Sequence, residues 1–497
     1  MNAHLFTFKI IAGTATRNDS VGRGQPQPLI HHTKVAAKIC LVMFATALLL
    51  SVCCGRAASA PAENWPQWRG PLANGVAPAA NPPSAWSETN NIKWKVKIPG
   101  NGAATPIIWG DQIFIQTAIP TGKKVEAIAD KPASVAAENT RTNADAQPGK
   151  SGRNRGGLGG EKPTEVYQFT LLCLDRKTGK TLWQKVAREE MPHEGYRPNE
   201  GSFASSSPVT DGKHIFAYFG SHGLYCYDLN GKLAWQKDLG KMRIKMGFGE
   251  GSSPALFGNA IVVNWDHEGS SFIVALNQAT GEKLWRAARE EQTSWATPLI
   301  VPHNGKAQVI TDASNKIRSY DLTSGKVIWE CGGLTANVIP SPVADDTTVY
   351  AMSGFRGNAL LAIRLGHTGD LTGTDAIAWS YNKSTPYVPS PLLYGQRLYF
   401  FSNNNGMISC FDTKSGKALI DAERLEDLKN VYASPVGAAG RVYLVGRNGA
   451  TVVIKDSDKL EILATNKLDD SFDASPAIVG KELFLRGHES LYCITEK

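Results

Sequence analysis

The chain has 497 residues, enough for two or three ordinary domains. Its formal net charge of +8 is unevenly placed: residues 1–60 hold six basic residues and one acidic, so the remainder carries 47 basic against 44 acidic, net +3. That near balance excludes the basic footprint of a nucleic-acid-binding protein, and the lack of any Cys-x-x-Cys or Cys-x-x-Cys-His excludes a zinc ribbon or covalent haem.

Taken in order, residues 1–38 are polar, basic and aperiodic. Ile39–Val52 is an apolar run preceded by Lys34 and Lys38. It is too short to span a bilayer comfortably and has the form of a secretory signal core. Ala60-Pro61-Ala62 offers a small-x-small cleavage site, so residues 1–62 read as an extension plus signal peptide and the mature chain starts near Glu63. The expected location is periplasmic or extracellular, with no transmembrane segment in the mature chain. A lipoprotein reading through Cys53 stays open, although Val52 stands where a small residue is wanted.

Beyond residue 100 the chain repeats. A small residue, Ser/Thr-Pro, a short apolar pair, a turn and a second apolar pair recur at Pro106, Pro208, Pro254, Pro298, Pro342, Pro391, Pro435 and Pro476. From Pro208 onward the spacings are 46, 44, 44, 49, 44 and 41 residues. Each unit goes on to a hairpin such as Ser319-Tyr320-Asp321 to Gly325 and Trp329, in which an apolar strand ends at Asp or Asn, Gly supplies positive φ, and a Trp-bearing strand follows. Repeats of this length with four short strands each predict propeller blades.

The long first spacing holds an insertion, Ile119–Glu165, which lacks aromatic residues and is expected to be a disordered surface loop. Cys173, Cys226, Cys410 and Cys493 share one repeat position with Ala275, Ser319 and Ala362, a small buried slot, so free buried thiols are expected. The eighth repeat stops before its Trp-bearing strand, and Asn91–Val96 matches the missing piece. The fold expected is therefore all-β: an eight-bladed propeller of four-stranded antiparallel blades over residues 63–496, the last blade closed by an N-terminal strand.

The repeated Asp/Asn-x-x-x-Gly-x-x-x-Trp hairpin resembles the tryptophan-docking repeat of the PQQ-like (pyrroloquinoline quinone) propellers. Trp65-Pro66-Gln67-Trp68-Arg69-Gly70-Pro71 is similar to the opening motif of their secreted members. The resemblance implies that Trp94, Trp183, Trp235, Trp285, Trp329 and Trp379 pack blade against blade. The family includes both quinoprotein dehydrogenases and non-catalytic scaffolds such as the assembly lipoprotein BamB, so it implies the fold more narrowly than the function.

In a four-stranded blade, the B–C and D–A connections share one face, and here they are the longer and chemically richer set. The binding face assigned to them comprises Phe203, His222, Phe248, Trp265, Asp266, His267, Glu268, Trp295, Arg356, Tyr387, Tyr432, Arg447, Phe472, Arg486 and His488. The leading expectation is an exported, monomeric, non-catalytic scaffold that meets an envelope protein or small ligand. The alternatives are a dehydrogenase using PQQ and calcium, for which Asp266 and Glu268 would supply oxygen ligands with Asp473 a further candidate carboxylate, and a small-molecule or saccharide binder.

Overall fold

A computed structural model describes residues 63–124, 160, 162–198 and 200–496; residues 1–62, where the signal peptide is expected, and most of the insertion lie outside the described residues. Eight sheets follow one another in the chain, and all but the last, which takes its outer strand from the N-terminal segment, pair their strands in sequence order from A to D. Blade 3 is representative: Ala255–Phe257, Ala260–Trp265, Phe272–Asn277 and Lys283–Ala288 form one antiparallel sheet. The A, B and C strands are apolar on both faces and mostly buried, whereas the D strand alternates at the rim.

The register explains the small slot. Cys173 faces Trp183, Cys226 faces Trp235, Ala275 faces Trp285, Ser319 faces Trp329, Ala362 faces Trp379 and Cys493 faces Trp94. A residue opposite an indole must be small. All five described cysteines are free and buried, and burial pushes the thiols of Cys173, Cys226 and Cys410 up to about 12, where a thiolate is not accessible.

Each indole also reaches the next blade. The Nε1 atoms of Trp94, Trp183, Trp235, Trp285 and Trp379 donate to the carbonyls of Arg176, Leu229, Gln278, Leu322 and Thr413, at 2.7–3.2 Å. These carbonyls belong to the residue after the hairpin Asp or Asn. The turn glycine then lies flat beneath the ring: a Cβ on Gly281 would collide with Trp235, and one on Gly325 with Trp285. Trp329 departs from the pattern and donates to its own blade's Gln308 at 3.0 Å. Its neighbour strand is different too, since Gly369–Asp370, from the C–D excursion of blade 5, pairs in parallel with the outer strand of blade 4. That makes blade 4 five-stranded, an addition the repeat pattern did not announce.

At the inner ends, the Ser or Thr before each proline forms a girdle. The backbone N–H of Thr105 donates to Ser207 Oγ, that of Ser207 to Ser253 Oγ, and that of Ser253 to Thr297 Oγ1. The chain of bonds continues through Ser341, Ser390 and Ser434 to Ser475, all at 2.7–3.0 Å. Thr105 Oγ1 then donates to the Ser475 carbonyl at 3.0 Å and completes the circle.

The N-terminal segment secures the ring twice. Trp65 pairs with Ile108 of blade 1, the Pro66 carbonyl accepts from Thr210 of blade 2, and Gly75 and Ala77 pair with Gly437 of blade 7. Residues 65–77 therefore cross one end of the central channel. Buried Arg69 donates to the Pro391 and Pro435 carbonyls at 2.7 and 3.1 Å. Gly75, at φ 93°, leaves room for that guanidinium. Further on, Ile92–Lys97 pairs antiparallel with Ser490–Ile494 as the outer strand of blade 8. The first blade corrects one boundary: its B strand, Gln112–Lys124, continues past Ile119 into the stretch expected to be loop, pairing Pro120 with Tyr167 and Lys124 with Glu165.

Two outcomes follow. Deleting residues 63–97 removes both the crossing segment and the closing strand, and should produce aggregation or a large fall in melting temperature on a thermal scan. Trp329 is fully buried, so Trp329→Ala should cost roughly 3–5 kcal/mol in urea unfolding. Trp295 is half-buried, and its replacement by Ala should cost about 1–2 kcal/mol in the same assay.

Candidate functional site

The loops that enter the A strands converge opposite the crossing segment, around a recess of about 180 Å³ on the channel axis. Its floor includes Trp68, whose Nε1 donates to Ser475 Oγ of the girdle at 3.2 Å. The girdle serines 207, 253, 434 and 475 line the depth, while Phe248, Trp295, Tyr387 and Tyr432 form the aromatic wall. Arg197, Glu200, Glu250 and Asp473 supply the charge.

Most of that charge is already matched. Arg197 pairs with Glu200 at 3.1 Å and lies over the Phe248 ring. Asp473 takes two bonds from Arg447 and one from His488 Nε2 at 2.9 Å. Burial works to raise the Asp473 carboxyl, but these bonds outweigh it and hold it below the usual range. The same contact raises His488 against the opposing effect of burial. Arg447 also stacks 3.5 Å above Tyr432, so the ion pair braces the aromatic wall.

Glu250 is different. Its carboxylate accepts from the Ser221 N–H at 2.8 Å and from Ser221 Oγ at 2.5 Å, and among the described residues no cation lies within ion-pair distance of it. Gly220, at φ 58°, makes the cradle, since a Cβ there would run into the carboxylate. Burial pushes Glu250 up to about 7, with Glu194 adding repulsion and the Ser221 bonds opposing.

The sequence assignments divide accordingly. Phe248, Trp295, Tyr387 and Tyr432 line the recess, and Arg447 and His488 stand behind its wall on Asp473. Arg356 is exposed over Phe355, which stacks on Tyr387. Glu268 faces Thr293, accepting from its N–H and Oγ1. Several others need correction, because the B strands run further than the hairpin reading assumed. Trp265 and Arg486 are terminal strand residues, paired with Phe272 and Leu491, and both are buried. Asp266 is buried, bound by Arg289 at 2.7 and 2.9 Å and by Ser294 Oγ at 2.7 Å. His267 is buried against Arg243, and His222 lies stacked on Phe169 with Nδ1 2.5 Å from Glu190. Phe472 is a core residue against Tyr492, and Phe203 packs edge-on against Tyr167 and Tyr196, behind the recess wall.

Glu250 and Trp68 were missed. Glu250 stands four residues before Pro254, inside the loop set already singled out, but it has no aromatic or second carboxylate immediately beside it in sequence to mark it. Trp68 carries no repeat signal, because its place depends on the segment that crosses the channel.

The Glu250 carboxyl sits near 7 when folded against an ordinary 4.5, so the folded state holds the proton more tightly. Its contribution is fully present below pH 4.5 and is lost as pH rises through 7. Glu250→Gln should shift the stability difference from the native protein in the variant's favour by up to about 3 kcal/mol between pH 4.5 and 8, read by urea unfolding across that range.

Comparison with known proteins agrees on the architecture. The family model described as outer membrane protein assembly factor BamB matches residues 168–417 and again 269–497. No curated protein sequence matches the chain. Among solved structures, the quinohemoprotein alcohol dehydrogenase from Comamonas testosteroni aligns at a TM-score of 0.57 with 10% identity, covering 89% of this chain and 82% of its own. A europium-containing methanol dehydrogenase aligns at 0.55 with 11% identity, covering 86% and 91%. BamB from Moraxella catarrhalis aligns at 0.37 with 16% identity, covering 60% and 97%. At these identities the likeness to the dehydrogenases speaks for the fold alone, whereas the family model spans well over half of the sequence. The chain belongs to the PQQ-like propeller family whose model carries the BamB description.

Proposed function

We propose that this protein is an exported, non-catalytic binding or assembly scaffold of the cell envelope, and that the recess on the channel axis is its working face. The observation that carries the reading is the commitment of three carboxylates, Asp473, Glu200 and Asp266, to internal partners, which leaves Glu250 as the one described carboxylate of the recess without a cation. Asp473 is held by Arg447 and His488, Glu200 by Arg197, and Asp266 by Arg289. Calcium polarising a quinone requires several converging oxygen donors. Among the described residues no group of three or more His, Cys, Asp or Glu is placed to hold a metal ion. The pair considered from sequence, Asp266 and Glu268, is spent on Arg289 and Thr293. Asp266 and Glu268 therefore do not fit the quinone–calcium centre. The BamB description of the family model points the same way. Among the described residues no helix is long and apolar enough to cross a membrane.

The test has two arms. Calorimetric titration of the protein with PQQ, with and without calcium, should show no binding; tight, calcium-dependent binding would replace the scaffold reading with the dehydrogenase. A photo-crosslinking residue at Tyr387, in cells of the source organism, should trap a discrete envelope protein, and Trp295→Ala should reduce that product while the fold persists. A crosslink pattern unchanged by Trp295→Ala would move the working face elsewhere.

A further inference from the structure

The recess has a side chamber. Glu250, Gly251 and Trp295 border both the recess and a small cavity of about 10 Å³ between blades 2 and 3, which Tyr218, Asn264, Asp266 and Ser294 also line. Tyr218 and Asn264 are 1% and 2% exposed, and Tyr218 Oη and Asn264 Oδ1 have no hydrogen-bond partner. Buried polar atoms in this state are costly, and native proteins rarely leave them so. What the chamber wants is a donor. Asn264 Oδ1 can only accept and Glu250 accepts when ionised, while Tyr218 Oη accepts through its lone pairs and has a single O–H to give, so donors remain short. Asp266 adds no free charge, because Arg289 neutralises it. A cavity of this size holds one water-sized group and excludes a planar guanidinium. Trp295 borders both cavities and has Phe248 beside it on the recess side, an aromatic surface suited to an alkyl stem or to a cation over a ring face.

We propose that this chamber is a binding site for a primary alkylammonium group, the head donating to Glu250, Asn264 and Tyr218 while its alkyl stem lies along Trp295. The inference rests on the recess being the working face and deepens that reading by naming what enters it. The same chemistry is offered by a free amine and by a lysine side chain on a partner.

Ammonium binding requires the ionised carboxylate, so its pH dependence is informative. The groups facing Glu250 are Arg197, Glu200, Glu194, His193, His222 and Tyr218, with the Asp266–Arg289 pair across the chamber. His222 is buried, which lowers its pKa despite Glu190, and it does not compete as a cation. With Glu250 near 7, the fraction ionised falls about 30-fold between pH 8 and 5.5.

The experiment titrates the protein in phosphate buffer of constant ionic strength with n-butylammonium chloride and with Nα-acetyl-lysine N-methylamide, following tryptophan fluorescence. At pH 8 at least one probe should bind, its Nε-acetylated counterpart (N-butylacetamide for the amine) at least tenfold more weakly, and the affinity should fall by about 30-fold at pH 5.5. Equal binding of both probes points to a free amine, and preference for the lysine derivative to a partner's side chain. Glu250→Gln should weaken binding tenfold or more and flatten the pH profile. Binding indifferent to acetylation, a pH profile that survives Glu250→Gln, or no binding of either probe at millimolar concentration would overturn the proposal. A crosslinked partner at Tyr387 in that last case would leave the scaffold reading standing while removing the ammonium site.

Discussion

The structure depends on the hydroxyl that precedes each proline. At the centre of a propeller the innermost strands of neighbouring blades approach edge to edge without forming a common sheet, so their first N–H groups face the next blade with no ladder partner. A Ser or Thr oxygen from that next blade accepts the N–H of Thr105, Ser207, Ser253, Thr297, Ser341, Ser390 and Ser434. The proline that follows removes the one further donor the arrangement could not satisfy. A buried N–H left unpaired costs on the order of 1–3 kcal/mol, and the motif avoids this at seven of the eight blade junctions, the eighth being closed by Thr105 Oγ1 on the Ser475 carbonyl. The recess inherits its floor from the same girdle, so the site is built on the part of the molecule with least freedom.

Fold and site were legible in the sequence to different degrees, for one physical reason. Blade number, hairpin geometry and ring closure depend on local chemistry that recurs: Pro at a strand start, Asp and Gly at a turn, a small residue opposite Trp. Repetition makes such signals visible even where one copy is weak, as at Ile420, which takes the place of Trp in blade 6. The site has no such redundancy, since each blade contributes a different residue once. Phe248, Trp295, Tyr387 and Tyr432 are legible because they stand just before a repeat proline, but the same position puts Phe472 in the core and Phe203 behind the wall, so the pattern marks candidates without separating them. Asp266 could not be separated from them, because its engagement with Arg289 is set by two strands whose lengths differ by a residue or two from the consensus. Trp68 was opaque for another reason: its place depends on a segment that crosses the ring instead of following it.

The charge of the recess is organised by pairing rather than by composition. Arg447 serves Asp473 and Tyr432 at once, and Arg197 serves Glu200 and Phe248. Two cations therefore hold two carboxylates and two aromatic rings in fixed orientations, which is what a binding wall requires if it is not to lose side-chain freedom on contact. Glu250 is left outside this scheme, and the electrostatic character of the mouth is decided largely by that one group.

The closing strand carries a consequence for how the molecule comes into being. Ile92–Lys97 pairs with a segment roughly four hundred residues later, so during synthesis it emerges first and must wait for a partner made last. While it waits it is an unpaired strand with apolar positions at Ile92, Trp94 and Val96, a form prone to pair with other chains. Its alternate positions are Lys93, Lys95 and Lys97, and in the finished ring these remain the exposed set. Three like charges on one face make the strand a poor template for its own copies. Lys93 is then matched by Glu482 of the blade it completes. The strand is thus kept from other chains by the same lysines that finally recognise its place.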